Sequence, residues 1–130
     1  MLVFGLSCAP YSPAEPTPAN VVIVDVGSQG YKLEINDSYL GDKLKVQGAF
    51  AELKDGPRVM LTLKNVSSAR LPIEYRVKCF DEKGAYVTDP GETWIFLMIN
   101  AGETTGINFR AKDKGVRRFH VLIRRHSPIR

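Results

Sequence analysis

Few side chains in this sequence are equipped to make or break bonds. The histidines are His120 and His126, and the cysteines are Cys8 and Cys79. A zinc site needs three or four His, Cys or acidic ligands at close spacing, and no such group occurs, so neither a metal nor any other cofactor is expected. His120 alternates with Phe119 and Val121 and belongs to a wet strand face. Ser127 stands beside His126, but serine hydrolysis also needs an orienting acid and a strained strand-to-helix elbow, which this tail lacks. Gly102-Glu103-Thr104-Thr105-Gly106 has two glycines and hydroxyls. Without a lysine or a following helix it cannot cradle phosphate, and it reads as a hairpin loop. Cys79 falls on an inward strand position, where a thiol behaves as a small hydrophobe. Asn65-Val66-Ser67 matches a glycosylation sequon, a three-residue pattern frequent by chance. The chain is therefore expected not to be an enzyme.

Charge is the next lead. From Arg110 onward eight basic residues face the single acid Asp113, a local charge of +7 that leaves −3 for the rest of a chain of net +4. Arg117, Arg118, Arg124 and Arg125 form the candidate binding patch, since Lys and Arg clusters attract phosphate and anionic surfaces. No groove-reading helix, zinc finger or base-stacking motif accompanies them, so a solvated last strand and tail is the plainer expectation. Among the aromatic residues, Trp94, Tyr86 and Tyr75 suit a groove for peptide or glycan. The apolar setting of Trp94 and the inward parity of Tyr75 favour the core.

The amino terminus carries a different chemistry. Met1 to Ser7 (MLVFGLS) is uncharged and apolar or small, and it ends at Cys8. The order Leu6, Ser7, Cys8 resembles the end of a bacterial lipoprotein signal, in which the cysteine thiol receives diacylglycerol and cleavage then exposes its amino group. Gly5 departs from that pattern, and no Lys or Arg precedes the apolar stretch. Residues 1–8 are thus expected to be a residual signal with its lipidation site. Ala9 to Asn20 (APYSPAEPTPAN) holds four of the eight prolines. Proline fixes φ and lacks an N–H, so residues 9–20 are expected to form a polyproline-like tether, about 37 Å long at 3.1 Å per residue. Several acyl chains on Cys8 would make attachment effectively permanent.

Residues 21–126 must supply the folded body, with 127–130 as a tail. The 130 residues suffice for one domain, and 44% hydrophobic with 25% charged residues is an ordinary globular composition. No apolar run is long enough to span a bilayer. Short apolar runs recur between Gly, Asp and Asn clusters, and none holds a helical period for three turns. Val21 to Val26 opens the series, followed by Tyr31 to Ile35. Leu44 to Leu53 places Leu44, Val46 and Phe50 on one face, with Gly48 marking a bulge. Val59, Leu61 and Leu63 alternate with Met60, Thr62 and Lys64, and Ile73, Tyr75, Val77 and Cys79 with Glu74, Arg76 and Lys78, which is one buried and one wet face in each case. Trp94 to Ile99 (WIFLMI) is apolar on both parities and reads as a central strand packed from two sides. Ile107, Phe109, Phe119, Val121 and Ile123 complete the set. Helix is confined to a turn near Asn36 to Asp42. The expected fold is all-β, an antiparallel immunoglobulin-like β-sandwich of about seven strands with an extended N-terminal segment, and a small barrel is the rival.

From Asn65 to Trp94 the wording (KNVSSARLPIEYRVKCFDEKGAYV, then TDPGETW), continued by a strand and NAGET, resembles the YcfL-like family of predicted periplasmic lipoproteins, a domain of unknown function. The family features fall on Asn65, Tyr75, Arg76, Asp81, Gly84, Trp94 and Gly102, over about residues 45 to 125. The resemblance implies a small immunoglobulin-like sandwich attached to the cell envelope, without an assigned enzyme activity. Ala9, where an Asp would signal inner-membrane retention, places it on the periplasmic face of the outer membrane. The expected function is that of a non-catalytic envelope lipoprotein whose β-sandwich is a binding or scaffolding module. It would reach the membrane through its lipid anchor, and an envelope protein or peptide through an exposed edge strand or surface contact, as a monomer. The alternative is a soluble β-sandwich interaction domain whose basic C-terminal strand binds an acidic partner or nucleic acid.

Overall fold

Alternating apolar residues pay for burial only if two sheets turn their apolar parities towards each other, and this chain does so. The computed structural model describes residues 17–126. The residual signal, Cys8, most of the spacer and the tail 127–130 lie outside the described residues. Nine strands and one short helix follow in order: β1 (Ala19–Asp25), β2 (Lys32–Glu34), α1 (Ser38–Lys43), β3 (Leu44–Glu52), β4 (Arg58–Asn65), β5 (Leu71–Asp81), β6 (Tyr86–Val87), β7 (Ile95–Ile99), β8 (Thr104–Arg110) and β9 (Val116–Arg125).

All strand pairs are antiparallel. The larger sheet runs β2-β1-β9-β5, and the far side of β5 is shared by β7 at Leu71 to Tyr75 and β6 at Cys79 to Phe80. The smaller sheet runs β3-β4-β8. Among the described residues a single isolated bridge, Val26 to Ala51, links the two, so the sheets form a sandwich rather than a closed barrel. Among the described residues nine strands stand where about seven were expected: each of the eight apolar runs of the sequence holds a strand, and Tyr86 and Val87 add one more.

The core lies between the sheets. From the larger come Val22, Val24, Leu71, Ile73, Val77, Cys79, Phe119, Val121 and Ile123, and from the smaller Val59, Leu61, Leu63 and Ile107. Phe119 is the largest of them and meets the half-buried Phe109 edge-on, with ring centroids 6.3 Å apart. Burying a phenylalanine side chain is worth about 1.5–3 kcal/mol. Helix α1 closes one end with Leu40. Its N-cap is Asp37, whose Oδ1 accepts the Leu40 N–H at 3.3 Å.

Two details depart from the sequence reading. Gly48 does mark a bulge, with the register shifting between Val46 and Gly48. The shift exchanges the faces, so Ala51 is buried and Phe50 is exposed instead of sharing the inner face of Leu44. Ala19 and Asn20, assigned to the spacer, belong to β1. Asn20 is a buried hub. Its Oδ1 accepts the backbone N–H groups of Asn36 (2.7 Å) and Asp37 (2.8 Å), and its Nδ2 donates to the Asp37 carbonyl (3.1 Å).

Candidate functional site

The four arginines read as a binding patch do not converge. Arg118 to Arg124 is six residues of β9, about 20 Å at 3.3 Å per residue. Arg118 makes a two-point contact with Asp25 (2.5 and 3.1 Å), Arg124 pairs with Glu74 (2.7 Å), and Arg125 pairs with the N-cap Asp37 (2.7 Å). Arg117 donates to the carbonyls of Lys114 and Val116. Much of the basic charge is thus engaged by carboxylates that the folded chain brings from elsewhere. Arg118 holds the Asp25 carboxyl below its ordinary range, mainly through that hydrogen bond.

The other candidates are absorbed by structure. His120 lies beside Phe80, with centroids 4.4 Å apart, and burial lowers its proton affinity, which favours the neutral ring. Cys79 is fully buried, and burial, with smaller contributions from Asp89, Glu92 and Asp113, pushes its thiol up to about 12. The sequon residue Asn65 is 0% exposed, and its Nδ2 donates to the carbonyls of Ala69, Ile99 and Asn100. Residues Gly102 to Gly106 are not a hairpin loop: they lead the chain from β7 in one sheet into β8 in the other. Among the described residues no group of three or more His, Cys, Asp or Glu could hold a metal ion. No described helix is long and apolar enough to cross a membrane.

The aromatic lead fares differently. Trp94 to Ile99 is not a central strand. Among the described residues Ile95 to Ile99 pairs only with β5 and forms an edge, while Trp94 precedes it. Trp94 is half-buried, with the Arg124 guanidinium 3.7 Å from its ring centroid and that of Arg76 at 5.9 Å. Glu74 joins the group by accepting from Arg124 Nε and by contacting His126 Nδ1, each at 2.7 Å. The His126 hydrogen bond is the main cause of a Glu74 carboxyl held below its ordinary range, and Arg124 acts in the same direction. The His126 ring in turn packs edge-on against Phe96, with centroids 4.8 Å apart. On the other side Arg76 pairs with Glu92 (2.7 Å), which accepts from the exposed Tyr86 hydroxyl. Tyr75 is half-buried and points inward, as its parity required.

These side chains form a ledge on the outer face of the larger sheet, and β7 borders it. The His126 N–H donates to the Pro72 carbonyl. Pro72 and the other even-numbered residues of β5 therefore direct their backbone groups towards β9, and the odd-numbered ones towards β7. In the β5–β7 register Leu71, Ile73 and Tyr75 face Ile99, Leu97 and Ile95. The N–H and C=O groups of Phe96 and Met98 consequently point away from β5, along the open edge. Ile95, Phe96 and Met98 are 39%, 50% and 37% exposed. Natural edges are blunted by charge, proline, bulges or brevity. Edge β2 is three residues, Lys-Leu-Glu, β3 carries Lys45, Glu52 and the bulge, and β8 ends in Arg110. β7 (IFLMI) has no charge, no proline and no bulge. Its apolar composition was visible in the sequence, whereas its edge position was not.

Comparison with known proteins supplies the relationship. Residues 31–125 match the family described as "Protein of unknown function (DUF1425)". A crystal structure of a DUF1425 family member from Shewanella sp. pv-4 is similar, with a TM-score of 0.59 at 19% identity over 87% of this chain and 94% of that one. The crystal structure of Campylobacter jejuni cj0090 is similar too, with a TM-score of 0.54 at 20% identity over 79% of this chain and 97% of that one. No curated protein matches the sequence.

Proposed function

This chain belongs to the DUF1425 family, and on that premise we propose that it is a non-catalytic envelope lipoprotein of the YcfL-like kind, whose sandwich captures an extended segment of an envelope protein along β7. In this reading Cys8 carries the lipid, residues 9–18 span the gap to the domain, and the protein is a monomer on the periplasmic face of the outer membrane. One observation carries the binding half: an uncharged edge strand whose Phe96 and Met98 backbone groups point outward beside the Trp94, Arg124, Glu74 and His126 ledge. An added strand would gain main-chain hydrogen bonds from that edge and side-chain specificity from the ledge and Phe96. The Leu6-Ser7-Cys8 sequence supports the anchor. Capture of nucleic acid by the basic strand draws little support from arginines already paired with Asp25, Glu74 and Asp37.

The test is a photoreactive amino acid placed in the full-length chain, in cells, at Phe96 or at Met98, with the exposed Thr62 on β4 as control. A discrete cross-linked envelope protein from Phe96 and Met98, absent from Thr62, is expected. Equal labelling from all three positions would remove the binding role from β7. For the anchor, Cys8→Ser should release the protein from the detergent phase, and a variant that still partitions there would refute lipidation.

A further inference from the structure

A second surface, on the opposite side of the sandwich, is built for a ligand of another kind. Edge strands β2 and β3 belong to different sheets, and between them the sandwich is open. The gap is a groove of about 280 Å³ closed at one end by α1. Val22, Leu33, Leu40, Leu44, Val46 and Ile123 give it an aliphatic wall without an aromatic ring. Leu33 and Ile35 on the β2 side are 45% and 47% exposed, apolar surface that the fold leaves uncovered.

The rim carries one charge of each sign. Lys45 donates to the Gly41 carbonyl at 2.8 Å, which uses one of its three ammonium donors, and it has no carboxylate partner among the described residues. Asp42 lines the same groove and likewise has no cationic partner among them. A flexible aliphatic chain fits the wall, where stacking ligands would find no partner. A head group bearing both charges fits the rim, since a simple carboxylate would meet Asp42 unfavourably. The volume falls just below the usual range of ligand pockets, room for part of one chain, with the remainder lying along the exposed Leu33 and Ile35.

We propose that this groove binds a single-chain zwitterionic phospholipid, lysophosphatidylethanolamine, with its acyl chain along Leu33, Ile35 and Val46, its phosphate at Lys45 and its amine at Asp42. The site does not depend on lipidation of Cys8 or on capture by β7.

Native mass spectrometry and calorimetry of the full chain with lysophosphatidylethanolamine below its micellar concentration, and with a fatty acid of the same chain length, provide the test. A 1:1 complex with the phospholipid is expected, tighter than with the fatty acid. Leu33→Glu, at an exposed position, should abolish it, and Ile35→Glu gives the same readout if the first variant melts early. Lys45→Glu should weaken binding by more than Asp42→Asn does, the latter by up to about fivefold, the range of one exposed charge pair. Absence of the complex, an unchanged affinity in folded Leu33→Glu and Ile35→Glu, or tighter phospholipid binding by Asp42→Asn would each overturn the proposal.

Discussion

Replacing Asn65 with alanine should loosen the end of the sandwich where β4, β7 and the following turn meet. The Asn65 side chain holds that junction from both ends. Its Nδ2 donates to the carbonyls of Ala69 (2.8 Å), Ile99 (2.9 Å) and Asn100 (3.1 Å), and its Oδ1 accepts the Ser67 N–H (3.0 Å) and hydroxyl (2.7 Å). Its backbone adds bonds to Glu103 and Gly102 that alanine would keep. Five side-chain contacts at about 0.5–1.5 kcal/mol each would overcount, because two N–H groups serve three carbonyls and the exposed Ala69 and Asn100 can turn to water. Ile99 is fully buried, and Ser67 is partly so. Their groups set the loss at about 2–4 kcal/mol.

Urea unfolding followed by tryptophan fluorescence should show an unchanged slope and a midpoint lowered by about 1–2 M. The melting temperature should fall by about 10–20 °C. Asn65→Asp is the sharper variant. It keeps the acceptor for Ser67 but turns a carboxylate towards carbonyl oxygens, so at neutral pH it should be at least as destabilising as alanine. A loss under about 1 kcal/mol for Asn65→Ala, or an Asp variant milder than Ala, would refute the claim that the amide donors secure this junction.

Two further outcomes follow from the titrating groups. In a Cys8→Ser chain, Cys79 should resist a thiol reagent at pH 8 while the protein is folded, because burial raises its thiol to about 12, and should react fully in guanidinium; rapid labelling of the native chain would contradict this. Glu74 has a folded pKa below its ordinary 4.5, so its contribution to stability is present above that value and lost as pH falls through the folded one. Denaturant titrations across pH 6 to about 3 should find Glu74→Gln less stable than the parent at the upper end, with the gap closing at the acid end, and a gap that widens in acid would reverse the assignment.

Much of the sandwich is legible along the chain. Val59, Leu61 and Leu63, then Ile73, Val77 and Cys79, then Phe119, Val121 and Ile123 announce buried faces through an alternation that needs no knowledge of partners, because successive strand side chains point to opposite sides. The short helix after Asn36 and the Gly48 bulge are local in the same sense, set by a capping Asp and a missing side chain. The candidate site is legible only in its parts. Trp94, Arg124 and the apolar run that follows Trp94 each stand out, but nothing in their spacing says that they meet.

That meeting belongs to the tertiary structure. Apolar composition records a strand's preference for leaving water, whereas its position depends on which neighbours pair with it, and among the described residues β7 pairs on one side only. The same dependence hid the fate of the basic strand, whose arginines find Asp25, Asp37 and Glu74 from 50 to 93 residues away. It also hid the role of Asn20, a polar residue after a proline-rich stretch that becomes a buried hub once Asn36 and Asp37 fold over it. Alternation and turn chemistry are properties of neighbours in sequence and so determine strands, whereas edges, ion pairs and grooves arise from contacts between distant segments and exist only after the sheets have assembled.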